Sequence, residues 1–296
     1  MSLRYGYVTN GLADHRLVDA LELLAESGYD GVAISLDHHH FDPFAPEPQR
    51  RARLLRARLE RLGLTAVVET GARYLLDPRR KHFPTMLEGE RERRLDFLRT
   101  AIEIAAELGA PVVSIWSGTA SERLSRDLAW ERLVEGCADL VGHAREHGVT
   151  VGFEPEPGML VSSLSEFEQL ARDLDHPPEL GLTLDLGHCV CLEPEPVDVC
   201  IRRGADHLVH VHAEDMLAGI HEHLPFGAGE LDLEAALNAL GAFDYRGMVA
   251  VELSRNSHEA HWRVPESIKI LRRAEGAATG ALEQVVGGPA PPRGSR

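Results

Sequence analysis

The feature that most constrains the fold is a regular alternation of short strand-like runs with longer amphipathic helical segments. Eight such runs occur between residues 4 and 254, and each is followed by a helical pattern. The runs are RYGYVTN (4–10), GVAISLD (31–37), TAVVET (65–70), PVVSIWS (111–117), TVGFEP (150–155), GLTLDL (181–186), HLVHVHA (207–213) and MVAVELS (248–254). Eight βα units over about 270 residues predict a (β/α)8 barrel, an α/β fold whose usual length is about 250 residues.

The ends of the helical segments support this assignment. DHRLVDALELLAESG (14–28) and RERRLDFLRTAIEIAAELG (91–109) both close on a glycine, which commonly terminates a helix. A doubly wound open sheet is the alternative, but the glycine-rich fingerprint expected after its first strand is missing. We therefore predict the barrel.

The pattern runs without a linker, which predicts one barrel domain over residues 1–273. From residue 274 the sequence AEGAATGALEQVVGGPAPPRGSR turns rich in glycine, alanine and proline. This composition predicts a flexible C-terminal tail over residues 274–296.

Charge and cysteine usage narrow the partners and the compartment. A formal net charge of -16 disfavours a nucleic-acid partner, because most of the surface would repel phosphate backbones. The four cysteines form no CxxC pair and the N-terminus lacks the apolar run of a signal peptide, which predicts free thiols in a cytoplasmic protein. No stretch approaches the roughly 20 apolar residues of a membrane helix, so no membrane partner is expected. A homo-oligomer is compatible with the sequence, but no exposed stripe identifies an interface.

Side chains alternate between the two faces of a strand, which predicts the residues that face the barrel interior. In the eighth run Val249, Val251 and Leu253 would pack against the helices, while the opposite face ends at Glu252. The same alternation turns His210 inward in the seventh run. Such a residue is compatible with two roles, a core histidine whose hydrogen bonds are satisfied or a metal ligand.

Four inward faces end on an ionisable residue at the C-terminal end of the strand, where barrels carry their active sites. They are Glu154, Asp185, His212 and Glu252, from four consecutive strands. One acidic strand end is usually a loop cap, but three adjacent carboxylates need a compensating cation. One imidazole with three carboxylates favours one divalent ion, Mn²⁺, Mg²⁺ or Co²⁺, and is also compatible with Zn²⁺.

The motifs around these residues resemble the metal-bearing strand ends of the xylose isomerase-like barrels. The superfamily comprises sugar phosphate isomerases and epimerases, among them ketose 3-epimerases and hydroxypyruvate isomerases, and also the abasic-site nucleases of the endonuclease IV type. The resemblance covers residues 4–273 and rests on VGFEPEP (151–157), LTLDLGH (182–188), HVHAED (210–215) and VAVELS (249–254). It implies metal ligation by Glu154, Asp185, His212 and Glu252, and it leaves His210 one layer deeper as a packing residue.

The resemblance implies an isomerase or epimerase that acts on a small sugar, ketose or sugar phosphate through an enediolate. Glu154 and Glu252 would be the catalytic acid and base, one removing a proton from carbon and the other returning it. Loss of a β-hydroxyl from the same enediolate would instead give a dehydratase or lyase on a keto-inositol or similar substrate. A barrel that binds sugar without turnover is the non-enzymatic alternative.

The nucleases of the superfamily use three zinc ions, whose extra histidines come from the second to fourth strand regions and from an Asp-x-His pair after the seventh. Here the third strand ends VETGARY, the fourth carries Trp116, and the pair reads His221-Glu-His223. Two ligands are missing and the chain is strongly acidic. A DNA-repair nuclease is therefore not expected.

Several loop residues are candidates for substrate binding. His188 matches a histidine that contacts substrate in the epimerases, and His221 and His223 follow the seventh strand. Trp116 faces inward by strand parity, where it would form an apolar wall against a sugar or simply fill the barrel. Arg79, in LLDPRRKHFPT (75–85), would grip a phosphate or carboxylate, although such a charge run is often only a solvated surface.

Overall fold

Each of the eight strand-like runs contains a barrel strand in the computed structural model, which describes residues 2–286. The strands are β1 (Arg4–Tyr7), β2 (Gly31–Ser35), β3 (Thr65–Glu69), β4 (Val112–Ile115), β5 (Thr150–Phe153), β6 (Leu180–Asp185), β7 (Leu208–Ala213), β8 (Asp215–Leu217), β9 (Ile220–Leu224) and β10 (Met248–Val251). Strands β1 to β7 and β10 pair in parallel in the order β1-β10-β7-β6-β5-β4-β3-β2, and a bridge between Val8 and Ala33 joins the two ends. The predicted (β/α)8 barrel is confirmed.

The helices surround the strands on the outside. They are α1 (Leu17–Ser27), α2 (Pro48–Leu62), α3 (Arg91–Leu108), α4 (Arg126–His147), α5 (Leu164–Asp173), α6 (Leu186–Leu192), α7 (Val197–Gly204), α8 (Leu233–Ala242) and α9 (Ala260–Val286). The glycines predicted to end two of them do so, since Gly28 and Gly109 adopt left-handed backbone angles with φ of 89° and 77°. Among the described residues, no helix combines the length and the apolar character that crossing a bilayer requires.

The strands bury both of their faces, as alternation predicts. Val249, Val251 and Leu253 pack outward into the main core between strands and helices. Met248 and Ala250 point the other way, into a small apolar cluster inside the barrel. Fully burying a valine or leucine contributes about 1.5–3 kcal/mol, so the two layers fix which residues of β10 reach the interior.

Strand β7 departs from simple alternation at Val209. The pairing register between β6 and β7 shifts there, and both Val209 and His210 face the interior. Gly181 stands opposite, and a Cβ atom on it would lie 2.4 Å from Cγ1 of Val209. This bulge therefore needs a glycine beside it, and above it the alternation resumes with His212 facing inward.

The C-terminal boundary differs from the prediction. Helix α9 continues to Val286, past the predicted start of a flexible tail at residue 274. Alanine, leucine, glutamate and glutamine between residues 274 and 286 favour the helix and outweigh the glycines that suggested a tail. Residues 287–296 lie outside the described part of the chain, and the flexibility of the tail stays a prediction. All four cysteines are buried free thiols, as predicted.

Candidate active site and metal centre

The four predicted ligands meet at the C-terminal end of the barrel. One ligating atom from each of Glu154, Asp185, His212 and Glu252 lies within 4.8 Å of all the others. His212 Nδ1 is 3.1 Å from Glu154 Oε1, 3.1 Å from Glu252 Oε2 and 4.0 Å from Asp185 Oδ2. Carboxylate oxygens with one imidazole nitrogen are suitable donors for a divalent cation.

The local structure around Asp185 fixes the position of one of these four side chains. It ends β6 and caps α6, because its Oδ1 accepts a hydrogen bond of 2.8 Å from the backbone N–H of His188. Its Oδ2 is buried and receives no hydrogen bond of good geometry from the described residues. A buried carboxylate oxygen without such a donor is costly unless a cation reaches it, so the residues fit a metal.

The two glutamates of the cluster have opposite electrostatic environments. Burial, together with the nearby Glu252 and Asp185 carboxylates, outweighs the opposing effect of His212 and raises the pKa of Glu154 to about 7. Burial also raises the pKa of Glu252. His212, His223 and a hydrogen bond of 2.6 Å from Asn10 Nδ2 outweigh this effect and hold the pKa of Glu252 well below the usual range. Near neutral pH Glu252 is therefore ionised, while Glu154 exchanges a proton.

The pH dependence of metal binding follows from these pKa values. Burial lowers the pKa of His212, but Glu154, Glu69 and Glu252 outweigh it and raise the pKa well above the usual range. Both His212 and Glu154 must release protons before they can bind an ion. Because the pKa of Glu154 is raised to about 7, we expect the affinity for Mn²⁺ to increase from about pH 6 to about pH 8.

Calorimetric titrations with Mn²⁺, repeated in buffers of different ionisation enthalpy, would measure the protons released on binding. An affinity that stays constant or falls over this pH range would contradict the prediction.

Three histidines form a second cluster beside the first. The ligating nitrogens of His188, His221 and His223 lie within 4.8 Å of one another, and Nε2 of His188 is 3.2 Å from Nε2 of His221. His188 Nδ1 lies 3.2 Å from the carbonyl oxygen of Pro155, and burial lowers the pKa of His188 to about 4. The ring is neutral at pH 7, and its Nε2 faces His221 and Asp185. The structure therefore brings together three of the predicted substrate residues.

Apart from the fully buried Asp185, the residues of these two clusters line one open cavity of about 230 Å³. Trp116 forms part of its wall, with its ring 5.3 Å from the ring of His82 and 4.5 Å from the guanidinium carbon of Arg94. The structure therefore places Trp116 beside the other predicted substrate residues. Whether it contacts a sugar stays a prediction.

Arg79, unlike the other four predicted substrate residues, lies outside the cavity. It is exposed and lines a separate surface groove with Arg80 and Arg93. Its loop turns outward because the Asp77 side chain accepts a hydrogen bond of 2.8 Å from the Arg79 N–H. The structure therefore does not bring Arg79 together with the other predicted substrate residues.

Two other cations from the same region, Arg73 and Lys81, line the cavity. The loop around them is held by Arg94, a buried guanidinium that donates to the carbonyl oxygens of Thr70, His82 and Pro84 at 3.1–3.2 Å. His38, His39 and His40, which follow β2, do not line the cavity. His40 is buried against the carbonyl oxygens of Leu12 and His15.

Sequence reasoning missed several acidic residues of the site. Glu69 and Glu156 line the cavity, and Glu214 is fully buried beside Asp185, where burial and that carboxylate raise its pKa well above the usual range. Strand parity would have found Glu69, which ends the inward face of β3. Asp215 is structural, because its carboxylate accepts backbone hydrogen bonds from Gly227 and Leu231.

Several known proteins are similar to this chain in sequence or in fold. The L-ribulose-5-phosphate 3-epimerase UlaE of Shigella flexneri serotype 5b is 27% identical over 241 residues, which cover 80% of this chain and 81% of the relative. A solved L-ribulose 3-epimerase superposes with a TM-score of 0.78 at 19% identity and covers 98% of this chain and 100% of that one. The 3-keto-D-glucoside 4-epimerase YcjR of E. coli gives a TM-score of 0.73 at 18% identity and covers 92% and 100%.

The two superpositions show a shared fold, and the family assignment has its own support. The sequence profile of the xylose isomerase-like TIM barrel family matches residues 21–274, which is most of the chain. That range contains all four strand ends of the carboxylate and histidine cluster. The protein belongs to the xylose isomerase-like TIM barrel family.

Proposed function

We propose that this chain is a divalent-metal-dependent epimerase or isomerase that acts on a small sugar, ketose or sugar phosphate through an enediolate. The observation that carries the proposal is the buried cluster of Glu154, Asp185, His212 and Glu252 at the mouth of the barrel. The similarity to a ribulose-phosphate epimerase supports a carbohydrate substrate. The strongly negative net charge argues against nucleic acid.

The chemistry needs an acidified carbon and two groups that move its proton. A divalent ion at this cluster would polarise adjacent carbonyl and hydroxyl oxygens of a ketose and so acidify the hydrogen between them. Glu252, ionised because of its low pKa, is suited to accept that proton. Glu154, on the other glutamate-bearing strand, is suited to return a proton to that carbon.

The two glutamates stand on β5 and β10, which are separated in the barrel by β6 and β7. They can therefore approach a carbon from different directions, and return of the proton from the other side inverts the centre. Asn10 keeps Glu252 in place through its hydrogen bond of 2.6 Å. His188, His221 and His223 offer ring nitrogens to the sugar hydroxyls from a position directly beside the carboxylates.

Incubation with ketoses in D₂O separates the reactions that this cluster can support. We expect Mn²⁺-loaded protein, given L-ribulose 5-phosphate and a panel of free ketoses, to produce an epimer that carries deuterium at the inverted carbon. An aldose labelled at the neighbouring carbon would indicate isomerisation. Loss of water, followed by absorbance of the unsaturated product, would indicate a dehydratase.

The same panel should be run with metal-free protein and with the Glu252→Gln variant, both of which should leave the ketoses unlabelled. Incision of abasic-site DNA together with three bound zinc ions per chain would contradict the proposed function. So would the absence of solvent exchange with every ketose in the panel.

A further inference from the structure

Glu69 bridges the barrel interior from β3 to two histidines of β7. Its Oε1 lies 3.1 Å from Nε2 of His212 and 3.2 Å from Nε2 of His210. All three side chains are almost completely buried. Strand β3 does not pair with β7, so the contact spans the inside of the barrel.

His212 uses its two ring nitrogens for different purposes. Nδ1 faces the carboxylates of Glu154, Asp185 and Glu252, whereas Nε2 faces Glu69. A neutral imidazole carries one proton, which remains on the nitrogen that has the better acceptor. Once a cation occupies the Nδ1 side, Glu69 is the acceptor that holds this proton on Nε2.

We propose that Glu69 is a positioning residue that fixes the ring orientation and the tautomer of His212, so that Nδ1 is presented to the metal. Histidines that bind metals commonly donate the other ring N–H to a carboxylate, and this partner sets the direction and basicity of the ligand. The inference rests on the proposed metal site but does not depend on which sugar reaction the protein catalyses.

His210 lies beside this arrangement. Its ring lies edge-on to that of His212, with the centroids 4.8 Å apart and the planes at 88°. Its Nε2 lies 3.2 Å from the same Oε1 of Glu69, but without the geometry of a hydrogen bond. The hydrogen bond of Glu69 is therefore made to His212.

Glu69 also lines the cavity, so a direct contact with substrate is the competing role. The two roles predict different measurements. A positioning residue changes metal affinity in the absence of any sugar, whereas a substrate contact changes KM and leaves metal affinity unchanged.

The test compares Mn²⁺ binding by the full-length protein and by two variants, without substrate. Glu69→Leu removes the acceptor, and we expect the Kd for Mn²⁺ to rise about 10- to 100-fold. Glu69→Gln retains a carbonyl oxygen that can accept the same hydrogen bond, and the Kd should stay within about 3-fold. Ser114→Ala is the matched control, because Ser114 pairs with Glu69 on the adjacent strand and its hydroxyl contacts Thr183.

Long-range ¹H–¹⁵N spectra of the Zn²⁺-loaded protein provide a second readout that does not require the leucine variant to fold. We expect His212 to carry its proton on Nε2. A proton on Nδ1, or a Glu69→Leu protein that is folded and binds Mn²⁺ with unchanged Kd, would overturn the inference. Tight metal binding without sugar turnover would overturn the proposed function alone.

Discussion

Replacement of Glu154 by glutamine is expected to lower kcat about 10²- to 10⁴-fold at saturating Mn²⁺, the range typical of a lost general acid or base. Glutamine keeps the size and one oxygen donor of the side chain but cannot exchange a proton. The native carboxylate can accept a proton and release it again. The measurement is the rate of ketose epimerisation, with bound metal quantified in the same sample.

Glu156→Gln is the matched control for this variant. Glu156 lines the same cavity two residues farther along the chain, but it belongs to none of the metal-binding groups of the described residues. We expect its kcat to fall less than about tenfold and any larger change to lie in KM. If Glu154→Gln with full metal retained most of its turnover, the proposed acid/base role would be refuted.

The second large effect concerns the two inward histidines of β7. His212→Ala removes one of the four ligands and leaves three carboxylates without the imidazole that balances them. We expect the Kd for Mn²⁺ to rise by more than about 100-fold, and activity to be lost at ordinary metal concentrations. Calorimetry or competition with a chelating dye measures the Kd.

His210→Ala is the control from the same strand and the same face. Its ring is fully buried and lies outside the four-residue cluster, so its removal leaves a cavity beneath the site. We expect the free energy of unfolding to fall by about 2–5 kcal/mol, with a much smaller change in metal affinity than in His212→Ala. Equal losses of metal affinity in the two variants would show that the two histidines have been assigned wrongly.

Local pattern was enough to predict much of this molecule. The alternation in MVAVELS separates outward Val249 from inward Glu252, and the structure confirms this separation in both core layers. A parallel barrel brings the C-terminal ends of its strands to one face. Consequently, residues far apart in sequence, such as Glu154 and His212, could be placed together before any coordinates were known.

Other features depend on contacts that no local pattern contains. Asn10 meets Glu252 across 242 positions of sequence, and the Val209 bulge depends on the glycine of a neighbouring strand. Arg79 was assigned to the site from its charge, but its direction is set by how its loop folds around Asp77. Glu69 is different, because the alternation of side chains along β3 is enough to place it on the inward face.

The hairpin formed by β8 and β9 is built differently from the barrel beneath it. Its two strands pair only with each other within the described chain. The hairpin places His221 and His223 at the cavity, whereas Glu222 forms an ion pair with Arg255. None of the four clustered ligands lies on it. Mutations in this ribbon can therefore change which sugars fit while the metal ligands stay in place, so selection for new substrates is expected to act here first.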